Sequence, residues 1–250
     1  MRLPLRIERF LARRSILDRN VIHRHSDRTV QEKLQDPSFP VLISFPRTGS
    51  HQLRLLMEYY FRIPSLPRIF YYKKAREFTC CHMHDLHPPD RPAGVERKRV
   101  IYLYRDPIPT VHSVMRYYGE NVEDPIRIEH WSALYRGHLN KWLLQENFTE
   151  AKTSIRYEAL QKAPWPTFEK LCSFFGASRE AERFKSLFQG LTKEQVMQEI
   201  TDAASIKGNE EEGEWERERF RKEAGPTIEE AVFGKNPALL PWFDDKKEGP

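Results

Sequence analysis

The chain has 250 residues, 39% hydrophobic and 31% charged, with a formal net charge of +5. That length suits one sizeable domain with its own core and leaves no room for a second. No apolar run reaches the roughly 18 residues of a membrane span and no signal-peptide core follows the N-terminal arginines, while the modest positive charge suits a small anionic ligand better than nucleic acid.

Residues 1–35 form a basic N-terminal segment in which Arg2, Arg6, Arg9, Arg13 and Arg14 alternate with Leu3, Leu5, Ile7, Phe10 and Leu11. Two readings stay open: a docked or frayed terminus, or an amphipathic surface helix making peripheral contact with a membrane or acceptor. Residues 36–250 read as the folded domain.

Its first element is a buried strand over 41–45, broken at Pro46-Arg47-Thr48-Gly49-Ser50 and followed by a helix over 50–61 with Leu53, Leu56, Met57 and Tyr60 on one face. Strand, short glycine loop and helix aim backbone N–H groups and a positive dipole end at an anion. Arg47 adds a fixed charge there, and Thr48 and Ser50 add hydroxyls. The Gly-x-x-x-x-Gly-Lys-Ser/Thr spacing of nucleotide triphosphate loops is absent.

A strand is expected over 78–83, running into Cys80-Cys81-His82-Met83-His84-Asp85-Leu86-His87. On a strand Cys80, His82 and His84 share a face, but no second Cys/His pair with ligand spacing occurs, so no metal is proposed. The three cysteines do not form a disulfide framework, and a reducing, cytoplasmic setting is expected. Residues 88–98 read as a Pro/Gly loop.

The run 99–104 reads as a strand covered on both faces. Arg105 ends it, Asp106 is placed as an N-cap and Pro107 as the first residue of a helix over 107–118. Ile108, Val111, Met115 and Tyr118 lie on its core stripe, and Ser113 lies on the opposite side, eight positions after Arg105. Helices are expected over 127–147 and 165–175 with more between 179 and 204, a strand over 153–157, and over 207–223 a charged loop that orders on a ligand. Alternating strands and helices imply a single α/β domain whose central parallel sheet is flanked by helices.

Taken in order, these segments resemble the sulfotransferases that use 3′-phosphoadenosine 5′-phosphosulfate (PAPS). Pro46-Arg47-Thr48-Gly49-Ser50 is similar to the family's Pro-Lys/Arg-Ser/Thr-Gly-Thr, and Arg105-Asp106-Pro107 with Ser113 to its Arg-Asn/Asp-Pro with a serine eight residues on. The run from Thr153 to Leu160, TSIRYEAL, is similar to its strand ending in Tyr-Glu-Asp-Leu. Lys207-Gly208, Gly213-Glu214-Trp215 and Phe220 are similar to its C-terminal loop. The resemblance covers about residues 40 to 220. There are three departures: Gln52 stands where a tryptophan often stacks on adenine, Ile206 replaces an arginine, and Cys80 replaces a lysine two positions before the family's catalytic histidine.

The resemblance implies sulfuryl transfer from PAPS to an acceptor hydroxyl or amine by in-line displacement, leaving 3′,5′-adenosine bisphosphate. It implies a P-loop-like nucleotide site in which Arg47, Thr48, Gly49, Ser50 and His51 hold the 5′-phosphosulfate. Arg105 and Ser113 would hold the 3′-phosphate, with Lys207 and Gly208 closing over it and Tyr157 lining the pocket. The family pattern selects His82, 23 residues before Arg105, as general base, with His84 as the close competitor. Saccharide, glycolipid, phenol and peptide tyrosine all remain open as acceptors, and oligomeric state is unreadable. A P-loop-type kinase and a non-catalytic nucleotide-binding relative are the alternatives. The missing Walker lysine counts against the kinase, and Gln52, Ile206 and Cys80 keep the non-catalytic relative open.

Overall fold

Four parallel strands in the order β2-β1-β3-β4 make the central sheet: β1 (Val41–Ser44), β2 (Cys81–Met83), β3 (Arg97–Tyr104) and β4 (Thr149–Arg156). The computed structural model describes residues 28–66, 77–86, 97–145, 149–190 and 213–244. Helices α1 (Ser50–Phe61), α2 (Pro107–Tyr117), α3 (Pro125–Leu139), α4 (Tyr157–Lys162), α5 (Pro164–Phe175), α6 (Ala181–Gln189) and α7 (Glu214–Glu229) surround it.

Side-chain alternation along the strands divides the core in two. Leu42, Ile101, Leu103 and Ile155 pack with Leu53, Leu56 and Met57 of α1, Phe168 and Leu171 of α5 and Phe184 of α6. Val41, Ile43, Val100, Tyr102 and Tyr104 pack on the other face with Val111 and Met115 of α2, Trp131 and Tyr135 of α3 and Phe220 and Ile228 of α7. The helix after β1 thus lies on one face and the helix after β3 on the other. In the strand order, β1 and β3 are neighbours whose connections leave in opposite directions. That is a topological switch point, where open α/β sheets bind ligands beyond the carboxyl ends of their strands.

Several expectations move. The strand expected over 78–83 contracts to Cys81–Met83, because the N–H of Thr79 donates to Pro64 O and Leu66 pairs with Cys80 and His82. The helix expected over 127–147 starts earlier, capped by Asp124 ahead of Pro125, and ends at Leu139. A π-type turn, Asn140–Leu144, follows, closed by Gln145 N–H donating to Asn140 O. The strand expected at 153–157 extends back to Thr149, and Tyr157 opens α4 instead of ending the strand.

Residues 213–223 are not a loop. They begin α7, whose first turn closes when Gly213 N–H donates to the Glu216 carboxylate at 3.2 Å. Phe220, Ala224 and Ile228, four apart in a charged run, give it a buried stripe. Tyr118 ends α2 outside the core and stacks on Trp131. Residues 28–35 are helical, and the remainder of the N-terminal segment, residues 1–27, lies outside the described residues. Among the described residues no helix is long and apolar enough to cross a membrane.

Candidate functional site

The loop after β1 has the backbone a phosphate cradle needs. Arg47 and Gly49 both take positive φ, 68° and 93°, and Thr48 Oγ1 donates to Phe45 O at 2.8 Å, tying the loop to the strand end. A Cβ on Gly49 would lie 2.4 Å from Cδ2 of Tyr157, so only glycine admits that ring. Ser50 opens α1, so the loop N–H groups meet the positive end of a 12-residue helix.

Beyond β3, the Asp106 carboxylate accepts from Ile108 N–H at 2.9 Å and caps α2, with Pro107 in the first turn, as the sequence suggests. The Arg105 backbone is clamped by Tyr135, whose hydroxyl accepts from Arg105 N–H at 3.0 Å and donates to Arg105 O at 2.6 Å. Glu158, in α4, accepts from Asp106 N–H at 3.1 Å. The Arg105 guanidinium lies 4.7 Å above the Tyr157 ring and donates to Arg47 O at 3.3 Å. Its Nε is enclosed but 3.9 Å from Glu158, and makes no hydrogen bond among the described residues.

Arg47 reaches across this space. Its Nε donates to Ser113 Oγ at 3.1 Å, and its guanidinium faces the Tyr117 ring at 5.3 Å. Burial foremost, with Arg105 nearby, lowers its pKa. Arg47, Arg105, Ser113, Gly49 and Tyr157 therefore form one cluster at the switch point. Two residues that the motifs assign to opposite ends of a nucleotide are in contact. Gln52 is turned aside, its side-chain carbonyl accepting from Gln161 at 3.0 Å. Lys207 and Gly208 lie outside the described residues.

The histidines stand on the other side of β1. Ser44, the last residue of β1 and fully buried, joins them: its hydroxyl is 2.8 Å from His82 Nε2 and its carbonyl 2.8 Å from His84 Nδ1. A carbonyl only accepts, so His84 carries its proton on Nδ1, leaving the Nε2 lone pair, which has no hydrogen-bond partner among the described residues. His82 differs. Arg54 Nη1 approaches its Nδ1 at 3.4 Å, and a guanidinium only donates, so His82 Nε2–H donates to Ser44. Both its nitrogens are engaged.

Burial, then the Arg54 charge, holds His82 well below the ordinary histidine range. His84 is lowered chiefly by burial, against the opposing bond to Ser44. His51 is pushed down to about 4 by burial, then by Arg54 and Arg47. All three are neutral near pH 7. Among the described residues, no group of three or more His, Cys, Asp or Glu side chains is placed to hold a metal ion.

Glu158 stands in the TSIRYEAL run without a role assigned to it, and sequence reasoning misses Ser44, Arg54 and Tyr135. Only Arg54 leaves a signal, as a charge inside the buried run from Leu53 to Tyr60.

No protein-family profile matches the chain, and no curated protein matches its sequence. Among solved structures, mouse sulfotransferase SULT7A1 in complex with PAP matches with a TM-score of 0.50 and 17% identity, over 77% of this chain and 85% of that one. The sulfotransferase domain from the curacin biosynthetic pathway matches with a TM-score of 0.41 and 15% identity, over 76% of this chain and 98% of that one. The likeness to the mouse protein is one of fold: this chain has the sulfotransferase fold.

Proposed function

We propose that the protein transfers a sulfuryl group from PAPS to an acceptor hydroxyl or amine. The reading rests on one observation above all: Arg47, Arg105 and Ser113 converge at the switch point, beside a glycine loop, with the enclosed Arg105 Nε–H lacking an acceptor. An enclosed donor without a partner costs about 1–3 kcal/mol, which an anionic oxygen at that point would recover. The positive-φ loop ahead of α1 would offer backbone N–H groups to the same anion.

In this reading Arg105 and Ser113 hold the 3′-phosphate, aided by Lys207 and Gly208. Arg47, Thr48, Ser50, His51 and the loop N–H groups hold the 5′-phosphosulfate, and Tyr157 lines the pocket. PAPS supplies an activated sulfuryl group whose leaving phosphate gains negative charge. Arg47 and the loop N–H groups are placed to stabilise that charge where it develops.

For the proton we favour His84 over His82, against the order the sequence pattern suggests. His84 follows the last residue of β2, at the carboxyl edge shared by the rest of the site, and its Nε2 is available to accept. His82 sits within β2 with both nitrogens bonded, and it positions Ser44 and Arg54. His84 Nε2 takes the acceptor proton and Ser44 O holds the Nδ1 proton of the resulting imidazolium.

Thermal shift tests the site. Adenosine 3′,5′-bisphosphate at 100 times its Kd should stabilise the protein by about 2.7 kcal/mol, and ATP–Mg²⁺ should not. Transfer of radiolabelled sulfate from PAPS to a panel of phenols, saccharides, glycolipids and tyrosine peptides tests the reaction. Stabilisation by ATP–Mg²⁺ alone points to a kinase. Bisphosphate binding without transfer points to a non-catalytic relative.

A further inference from the structure

β2 is a three-residue edge strand paired with β1 and bridged to Leu66. Such a short ladder does not fix the direction in which the chain leaves it. Yet the next residues are held closely. Asp85 adopts φ 44°, a left-handed conformation sparsely populated outside glycine.

The bonds that hold these residues come from α3 and the π-type turn. His138 Nε2 lies 2.8 Å from the carbonyl of His84, and its Nδ1 lies 2.9 Å from the Tyr102 hydroxyl. The His84 carbonyl can only accept, so His138 donates through Nε2 and receives the Tyr102 O–H at Nδ1. One turn on, Lys141 Nζ and Trp142 Nε1 approach Asp85 Oδ2 at 2.8 and 2.9 Å. The ion-paired side chains are 1% and 0% exposed. The π-type geometry at 140–144 brings these consecutive residues toward one carboxylate, and such local departures from α-helix recur at functional sites.

We infer that His138, Lys141 and Trp142 form a clamp that orients His84: they fix the carbonyl of residue 84 and the carboxylate of residue 85, and so hold the His84 ring with Nδ1–H on Ser44 and Nε2 toward the site. These are positioning residues. The inference deepens the assignment of His84 as base and rests on it for its meaning, but the clamp itself is read from the ring and not from turnover. The clamp comes from a helix on the Val41/Tyr102 face of the sheet, through the buried Tyr102–His138 pair, and not from the loop that carries the histidine.

The test is nitrogen NMR of protein labelled with ¹⁵N-histidine, the His84 signal being assigned by its loss in His84→Gln. In the native protein His84 should be a single Nδ1–H tautomer. In His138→Leu it should become a mixture of tautomers, as the ring is no longer held with Nδ1–H on Ser44 O. His138→Gln, which can still donate to the His84 carbonyl, should restore the single tautomer. Trp142→Phe keeps most of the buried ring, removes one bond to Asp85, and should show the same change in smaller measure; it decides the matter if His138→Leu does not fold. An unchanged His84 signal in folded His138→Leu, or in Trp142→Phe, overturns the clamp, as does a glutamine variant that behaves like leucine. Failure of His84 as base is seen separately, as unchanged sulfuryl transfer by His84→Gln.

Discussion

Replacing Gly49 by alanine perturbs the cradle at one atom. The new Cβ would stand 2.4 Å from Cδ2 and 2.5 Å from Cε2 of Tyr157, at a φ of +93°. Two costs add. Left-handed backbone costs an alanine about 1–2 kcal/mol, and forcing the ring aside costs about 1–3 kcal/mol, as overpacking does elsewhere. The sum, about 2–5 kcal/mol, corresponds to a fall in Tm of roughly 4–20 °C at about 2–4 °C per kcal/mol for a chain of this size. Scanning calorimetry of Gly49→Ala, Tyr157→Ala and the double variant separates the two costs. The clash disappears in the double variant and the backbone strain remains, so a favourable coupling of about 1–3 kcal/mol is expected. A Gly49→Ala cost below about 1 kcal/mol, or additive single effects, refutes the close approach of ring and loop.

Arg105→Ala should weaken binding of adenosine 3′,5′-bisphosphate by about 1.5–3 kcal/mol, roughly 10- to 150-fold by titration calorimetry. Arg47→Ala should weaken it too, because Arg47 Nε reaches Ser113; unchanged affinity in both contradicts the shared cluster. His84→Gln should lower kcat by about 10²–10⁴-fold with bisphosphate affinity intact, whereas an equal loss in affinity argues against a base. Stability should fall with acidity. Burial pushes His138 down to about 4 in the folded protein, so between pH 6.5 and 4 the unfolded chain binds a proton there that the native state does not. Linkage then removes about 2 kcal/mol at pH 5 relative to pH 8 from this residue alone. Urea unfolding of the native protein and His138→Gln checks this: the variant should have the shallower pH slope, and equal slopes contradict the buried neutral histidine.

The two motifs were legible because local chemistry writes them. An apolar run stopped by Pro46 and Gly49 yields β1, the loop and a helix over the residues expected, and Asp106-Pro107 starts α2 where capping requires. Lateral neighbours were not legible. Ser44 matters because β1 lies beside β2, and His138 because α3 crosses the sheet near Asp85; neither pairing leaves a spacing in the sequence. The shortening of β2 has the same origin, since its upstream bonds go to residues 64–66. Helix α7 was hidden by its charge: Phe220, Ala224 and Ile228 are too sparse to stand out until α2 and α3 are in place beneath them.

The cysteines offer a readout that needs no knowledge of the acceptor. All three thiols are buried and unbridged, and burial pushes Cys80 up to about 12. At pH 7 about one Cys80 in 10⁵ is then thiolate, the form that alkylating reagents attack. Labelling must wait for the chain to open, so its rate counts openings. Any compound that binds only the closed protein slows that count by the factor 1 + [L]/Kd. The adjacent cysteines beneath the candidate site thus turn alkylation into a binding assay for donor analogues and acceptors alike.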